Sequence, residues 1–156
     1  MTHDHVSIAV NGSASTGVEL VPARQRDDGT WLLLRSPLYA MHLAAGDTVR
    51  IGNQAVGACE VVARGGNVAV QFYLSEWDDP QRTAHAASKI TPDVVARGGR
   101  MDGQATGLLV YTIPVEIGFP AIESMFNKAA DAFPGAQWQY TNVYDLTTGE
   151  PLGWWE

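Results

Sequence analysis

The chain has 156 residues, of which 46% are hydrophobic and 17% are charged, and its formal net charge is −7. This length suits one ordinary domain with its own core, and the composition excludes a coiled coil and a chain kept disordered by charge. Apolar runs are too short for a membrane helix, and residues 1–5 lack the basic start and apolar run of a secretory signal, so we expect a cytoplasmic protein.

The first 66 residues carry the pattern of short antiparallel strands. Strands are predicted over residues 6–10, 16–23, 30–35, 48–51 and 56–64, and Gly57 is a candidate bulge. Asp28 and Gly29 form a hairpin signal, and Pro37 ends the third strand because proline fixes φ and has no N–H to donate. Strands at this spacing predict a curled antiparallel sheet, or partial barrel.

After residue 67 the pattern changes to alternating strands and helices. Strands are predicted over 68–74, 107–115 and 138–144, with helix starts at Pro80 and Thr91 and the clearest helix over 120–133. This β-α-β-α-β order fits a split β-α-β sandwich. We therefore predict an α+β fold, in which an antiparallel β half (residues 1–66) packs as one compact unit on an α/β half (residues 67–156).

The histidines and the cysteine do not form a recognisable metal or catalytic motif. His3 and His5 lie in an unanchored tail, and His42 and His85 stand alone in sequence. Cys59, the single cysteine, excludes an internal disulfide and a cysteine zinc cluster, and its place within a predicted strand favours packing. We predict no metal site and no catalytic thiol.

Glycine-rich and acidic stretches have local structural explanations. Residues 98–103 lack the spacing and the preceding strand of a phosphate-binding loop, so no nucleotide cofactor is expected. Asp78 and Asp79 precede a proline as a helix cap would, and Asp27 and Asp28 belong to a turn. We predict no catalytic residues and no cofactor.

Negative charge is concentrated in the last third of the chain. Residues 101–156 hold Lys128 as their one basic side chain against seven carboxylates, a net charge of −6. Such a surface repels nucleic-acid phosphate and anionic membranes, and it attracts a basic protein. The plainer alternative is that the acidic surface keeps the protein in solution.

The same third is rich in large aromatic residues. Trp138, Tyr140 and Tyr144 alternate on one face of a predicted strand, and Trp154 and Trp155 lie near the end of the chain. These indoles either dock on the protein's own sheet or anchor a partner, because a large ring is costly to leave in water. The predicted partner-binding residues are Glu116, Glu123, Asp131, Trp138, Tyr140, Asp145, Glu150, Trp154, Trp155 and Glu156.

One stretch of the first half resembles a bacterial domain family of unknown function. The family pattern is an E-x-L-W strand, a D-G turn, then N-x-P-F-Y-A and L-x-x-G-D-x-V, and residues 18–23, 28–33, 35–40, Leu43, 46–49 and 60–67 are similar to it. Val21 replaces the tryptophan, Ser36 lies near the asparagine position and Leu38 replaces the phenylalanine. The resemblance implies a soluble bacterial domain and supplies no catalytic residues.

Together these features favour a non-enzymatic protein-binding module. Its sharpest form is an immunity-type protein that neutralises a basic toxin, such as a nuclease, by covering its cleft with an acidic aromatic surface. The alternative is a small-molecule-binding domain or enzyme with a pocket between the two halves, near Tyr39, His42 and Tyr73. A third reading is a structural domain without a partner.

Overall fold

A computed structural model describes residues 4–10, 17–53, 58–75 and 79–156. Within these residues the chain forms two antiparallel sheets and two α-helices, so the predicted α+β class is confirmed. The strands are β1 (Asp4–Ala9), β2 (Val18–Gln25), β3 (Trp31–Leu33), β4 (Thr48–Asn53), β5 (Ala58–Ala63), β6 (Asn67–Tyr73), β7 (Arg100–Ala105), β8 (Leu108–Pro114) and β9 (Gln137–Tyr140). The helices are α1 (Pro80–Ala96) and α2 (Phe119–Ala132), with a 3-10 turn over Val115–Ile117. His3, Gly57 and Asp78, named above, lie outside the described residues.

The first sheet is a five-stranded antiparallel meander in the order β1 to β5. Alternate residues face its inside, where Val6, Val21, Leu33 and Val49 are buried. Cα atoms of β1 and β5 approach within 8 Å, although no ladder joins them among the described residues. The sheet is therefore curled but not closed into a barrel.

The second sheet has the order β7-β8-β6-β9, and every neighbouring pair is antiparallel. With α1 between β6 and β7 and α2 between β8 and β9, the connection is β-α-β-β-α-β, the split β-α-β arrangement. One face carries Phe72 and Tyr111 into a core with Phe126 of α2 and Val94 of α1. Neither helix is long and apolar enough to cross a membrane.

Strand β7 is absent from the sequence prediction, which treats residues 98–103 as a glycine-rich loop. It pairs with β8 at the sheet edge, with a register shift between Met101 and Gly103. A Cβ on Gly103 would lie 2.8 Å from Leu38 Cδ2, so the glycine admits close packing from the first half. Sequence reasoning missed this strand because tertiary pairing overrides the low strand propensity of glycine.

Helix α1 begins where the sequence indicates and continues through a predicted break. Asp79 Oδ1 accepts hydrogen bonds from Gln81 N (3.0 Å) and Arg82 N (3.1 Å), which confirms its capping role. The second start at Thr91 was wrong, because Pro92 lies inside one continuous helix. Buried Ile90 and Val94, on either side of the proline, hold both parts of the helix against the sheet.

The connection from β3 to β4, residues 34–47, lies on the face of the second sheet that the helices leave open. Gln71 Nε2 donates to Leu38 O (2.7 Å), and His42 N donates to Thr141 O (2.8 Å). These bonds join residues of the first sheet's connection to β6 and to the residue that follows β9. We call this contact region the inter-sheet layer.

Candidate functional site

The inter-sheet layer contains a carboxylate, that of Asp102, whose two oxygens both accept hydrogen bonds from the protein. Asp102 Oδ2 accepts from Ser36 N (2.9 Å) and Thr112 Oγ1 (2.6 Å), and its Oδ1 accepts from Arg100 Nε (2.6 Å). The hydroxyls of Ser36 and Thr112 are 2.5 Å apart, and the Asp102 side chain is 4% exposed. This group joins the connection between β3 and β4 to the second sheet through hydrogen bonds within the protein.

Glu19 holds the start of the same connection. Its Oε2 accepts from Leu38 N (2.7 Å), and its Oε1 accepts from Tyr39 N and Ala40 N (2.9 Å each). Three consecutive N–H groups in a loop have no strand partner, so the carboxylate supplies their acceptors. This contact gives a structural reason for the acidic residue and the P-L-Y-A stretch in the family-like pattern.

Asp47 holds the end of the connection. Its oxygens accept from Ala44 N (3.0 Å), Gly65 N (3.0 Å) and Arg64 Nη1 (3.2 Å). Burial raises the pKa of the Asp47 carboxyl, and the two N–H groups and the guanidinium oppose that rise. A Cβ on Gly65 would lie 2.3 Å from the Gly46 carbonyl carbon, so close backbone approach requires Gly65, whereas Gly46 is favoured by its φ of 90°.

The three residues named for the alternative pocket do not share the cavity that His42 lines. A cavity of about 180 Å³ at the end of the first sheet is lined by His42 and Cys59, whereas neither Tyr39 nor Tyr73 lines it. Tyr39 is 46% exposed, and Tyr73 OH bonds to Gln71. Burial raises the pKa of Cys59 to about 11, which favours the protonated, unreactive thiol.

The aromatic residues of the last third form a continuous row, which we call the aromatic row. Successive ring centroids lie 5.1 Å apart for Trp138 and Tyr140, 5.5 Å for Tyr140 and Phe119, 5.1 Å for Phe119 and Trp155, and 5.4 Å for Trp155 and Trp154. The rings meet edge to face, an arrangement that stabilises aromatic pairs beyond their burial. All five side chains are half-buried.

The terminal tail docks on the protein's own core. Trp154 Nε1 donates to Asn142 O (2.7 Å), and the Arg64 guanidinium carbon lies 5.7 Å from the Trp154 ring centroid. Trp138 Nε1 likewise donates to Asn127 Oδ1 (2.8 Å). Of the two alternatives that the sequence left open, docking is the one observed, and it leaves part of each indole surface accessible.

The predicted carboxylates differ in their relation to the row. Glu123 Oε2 accepts from Tyr140 OH (3.1 Å), and burial together with this carboxylate raises the tyrosine pKa. Glu116 and Glu156 are exposed and lie in sequence next to ring-bearing segments. Asp131 is exposed on α2, one turn beyond Asn127, whose Oδ1 accepts from Trp138 Nε1.

Asp145 and Glu150 share the turn before the tail. Asp145 Oδ1 accepts from Thr147 N (2.8 Å) and Thr148 N (3.0 Å), and these bonds lower its pKa. Glu150 is exposed, and its carbonyl oxygen accepts from Asp145 N (2.9 Å). Asp145 is thus mainly a turn-forming residue, whereas Glu150 presents an exposed carboxylate.

Sequence reasoning missed several residues that position the row. Phe119 joins its two halves, and its Gly118-Phe119-Pro120 context signalled only a helix start. The Asn142 side chain is buried; it accepts from Ala69 N (3.0 Å) and donates to Asn67 O (2.9 Å). Its backbone carbonyl oxygen accepts a hydrogen bond from Trp154 Nε1. Nothing local in the sequence distinguishes such an asparagine from a turn residue.

The comparisons with known proteins identify a family without an assigned activity. A family model described as "Domain of unknown function (DUF4265)" matches residues 19–135, well over half of the chain, so the chain belongs to that family and the resemblance is confirmed. A solved chain titled "Novel crystal structure of a hypothetical protein from Neisseria gonorrhoeae" is similar, with a TM-score of 0.62 and 14% identity over 90% of this chain and 95% of that one. That likeness shows a shared fold alone. No curated protein matches.

Proposed function

We propose that this chain is a non-enzymatic protein-binding module that covers a basic partner with the surface around its aromatic row. The observation that carries the proposal is a row of half-buried rings with Glu123 bonded into it and with Glu116 and Glu156 exposed on its flanking segments. Rings of this kind are typical anchors at protein interfaces, and carboxylates favour a cationic counterpart.

The row is already ordered before a partner arrives. Edge-to-face contacts and the hydrogen bonds of Trp138 and Trp154 hold the indoles, so little side-chain entropy is lost on binding. Trp154 and Trp155 pack with one side on the core and keep the other side partly exposed, as residues that anchor a partner would. This preorganisation favours a stable complex over a transient one.

The hydrogen-bonded carboxylates of the inter-sheet layer support a non-enzymatic role in this proposal. Asp102, Asp47 and Glu19 each accept at least three hydrogen bonds from groups of the protein itself. A general base needs a lone pair directed at a substrate proton. Their roles are explained by the loop they hold.

In its sharpest form the module is an immunity-type protein of the bacterial cytoplasm that neutralises a basic toxin. Exposed carboxylates such as Glu116 and Glu156 would take the places of substrate phosphates in a nuclease cleft, while the indoles fill the apolar parts. Neutralisation would then follow from occlusion, without chemistry on either protein.

The binding proposal is tested by affinity capture and a charge-reversal pair. We expect the chain to retain a stoichiometric basic protein, and Glu116→Lys with Glu156→Lys to weaken its Kd at least about tenfold by calorimetry. The matched control, Asp27→Lys with Glu60→Lys, makes the same charge change on the first sheet and should leave the Kd unchanged. Equal weakening by both pairs would argue against a defined surface.

The immunity proposal has a separate test. Once the partner is purified, its activity is measured with increasing amounts of this chain. Complete loss at a one-to-one ratio supports neutralisation by occlusion. A partner that stays active in the complex would leave the binding module standing and remove the immunity role.

A second candidate is binding of a small anion between the two halves. It is favoured by an opening of about 560 Å³ that is lined by Arg35 from the first half and by Arg100 and Asp102 from the second. Because Arg100 is already paired with Asp102, the positive charge offered to an anion comes from Arg35. That volume is in the range of ligand sites, although this one is wide and polar. Arg35→Ser should abolish any thermal stabilisation that anionic metabolites produce in the wild-type chain, and no stabilisation in a broad screen would remove this candidate.

A further inference from the structure

A groove between the two helices lies apart from the aromatic row and from the inter-sheet layer. It consists of two adjoining cavities, of about 380 and 130 Å³, which share Asp93, Met125 and Lys128 in their linings. The first extends toward Arg97, and the second extends toward Phe133. The groove therefore follows the helix pair for about two turns.

The floor of the groove is apolar. Ile90 and Phe133 are buried beneath it, and Met125, Ala129 and Ala132 line its walls. Ile90 and Phe133 are only 3% and 6% exposed, so the apolar surface that a partner can contact is that of the partly exposed Met125 and Ala129. An apolar floor open along a helix pair is the geometry that receives an amphipathic helix.

The rim of the groove is cationic in a chain that is otherwise acidic. Lys89 and Lys128 line it, and they are the only two lysines in the sequence. Arg97 adds a third cation at the far end. All three side chains are exposed, and none of them forms an ion pair with the part of the chain that the structure describes.

The spacing of these cations restricts what can pair with them. Lys89 and Arg97 lie eight positions apart, about 12 Å along the α1 axis, and Lys128 faces them from α2. A small monoanion cannot contact both ends. Two carboxylates about two turns apart on a helix can contact both Lys89 and Arg97. Asp93 lies between these two cations on α1, and its negative charge disfavours a third carboxylate of the partner at that point.

We propose that this groove binds an acidic amphipathic helix of a partner protein, with carboxylates two turns apart that pair with Lys89 and Arg97. Apolar side chains between those carboxylates lie on Met125 and Ala129. This inference does not depend on the proposed function. The groove favours an acidic partner, whereas the surface around the aromatic row favours a basic one, and the two surfaces consist of different residues.

The test is a selection of displayed 16-residue peptides on the full chain. A triple variant, Lys89→Glu with Arg97→Glu and Lys128→Glu, provides the counter-selection. The matched control variant carries Arg24→Glu, Arg26→Glu and Arg35→Glu, three exposed arginines of the first half. Circular dichroism confirms that both variants are folded before binding is compared.

We expect enriched peptides with acidic residues seven or eight positions apart and apolar residues between them. Their affinity should fall at least about tenfold on the triple variant and stay unchanged on the control variant and on Glu116→Lys with Glu156→Lys. Peptide addition should shift the amide resonances of Met125 and Ala129.

Three results would overturn the proposal. One is a selection in which no enriched peptide distinguishes the triple variant from the wild type. Another is a wild-type dimer in sedimentation that the triple variant dissociates, since a second copy would then occupy the groove. The third is a decanoate titration that shifts Met125 while no peptide is enriched, which would indicate a small amphiphilic anion.

Discussion

The inter-sheet layer and the surface around the aromatic row both contain carboxylates, but the two sets do different work. Asp102 and Asp47 are buried, and their oxygens already accept hydrogen bonds within the protein. Glu116 and Glu156 are exposed, and no hydrogen bond engages their carboxylates among the described contacts. All four carboxylates contribute equally to the formal net charge. Only the exposed ones, Glu116 and Glu156, can interact directly with an approaching partner.

The largest expected effect lies in the inter-sheet layer. Asp102→Ala leaves Ser36 N, the Thr112 hydroxyl and the Arg100 guanidinium without their acceptor, so we expect the free energy of unfolding to fall by about 3 kcal/mol. Urea denaturation followed by circular dichroism measures it. Asp131→Ala, at an exposed helix position, is the matched control and should leave stability unchanged; similar effects from both would erase the contrast.

The docked tail is the next test, because it decides whether the aromatic row is built on the core. Trp154→Ala removes a half-buried indole and its bond to Asn142 O, and we expect a loss of about 2 kcal/mol in the free energy of unfolding. Trp154→Phe keeps most of the ring packing and should cost about half as much. A Trp154→Ala variant as stable as the wild type would mean that the tail is held only weakly.

Glu19→Gln tests the hydrogen bonds by which Glu19 holds residues 38–40, and it is a smaller change in side-chain size. The amide can present one oxygen to the N–H groups of Leu38, Tyr39 and Ala40, and its NH₂ group meets a donor, so we expect a loss of about 1–2 kcal/mol. Glu60→Gln, exposed on β5, is the control. If the two variants unfold at the same urea concentration, the hydrogen bonds of Glu19 do not stabilise the fold.

At neutral pH the smallest effect is that of Cys59, which burial keeps protonated. Its pKa is raised to about 11 in the folded chain, from an ordinary value of 9.0, so both states hold the proton below pH 9. Between pH 9 and 11 the unfolded thiol ionises first, so stability is lost progressively as pH rises. Alkylation of the folded chain by iodoacetamide should accelerate about tenfold per pH unit up to pH 11; a plateau near pH 9 would contradict the burial.

Much of the local structure follows from the sequence because its signals are short-range. Asp28 and Gly29 form the hairpin turn, where Gly29 has a φ of 86° and Asp28 Oδ1 accepts from Thr30 N (3.0 Å). Asp79 caps α1, and the helical spacing of Ile122 and Phe126 places α2 on its sheet. Each signal depends on residues within about one turn of one another.

The missed elements depend on contacts between distant residues. Strand β7 forms because β8 offers an edge to pair with, and Gly103 is there to admit Leu38 from the other half. Pro92 stays helical because Ile90 and Val94 are buried against the second sheet. Neither effect has a signature inside its own segment, since the partner residues lie many positions away.

For the candidate site, the sequence by itself determined which residues carry charge and rings, namely the acidic third of the chain with its tryptophans. Only the tertiary structure decided which of them meet. Phe119 contacts both Tyr140 and Trp155, the carbonyl oxygen of Asn142 accepts from Trp154 Nε1, and Glu123 bonds to Tyr140. The physical reason is that side-chain identity sets what an atom can bind, whereas packing of α2 and the tail on the second sheet sets which atoms are within reach.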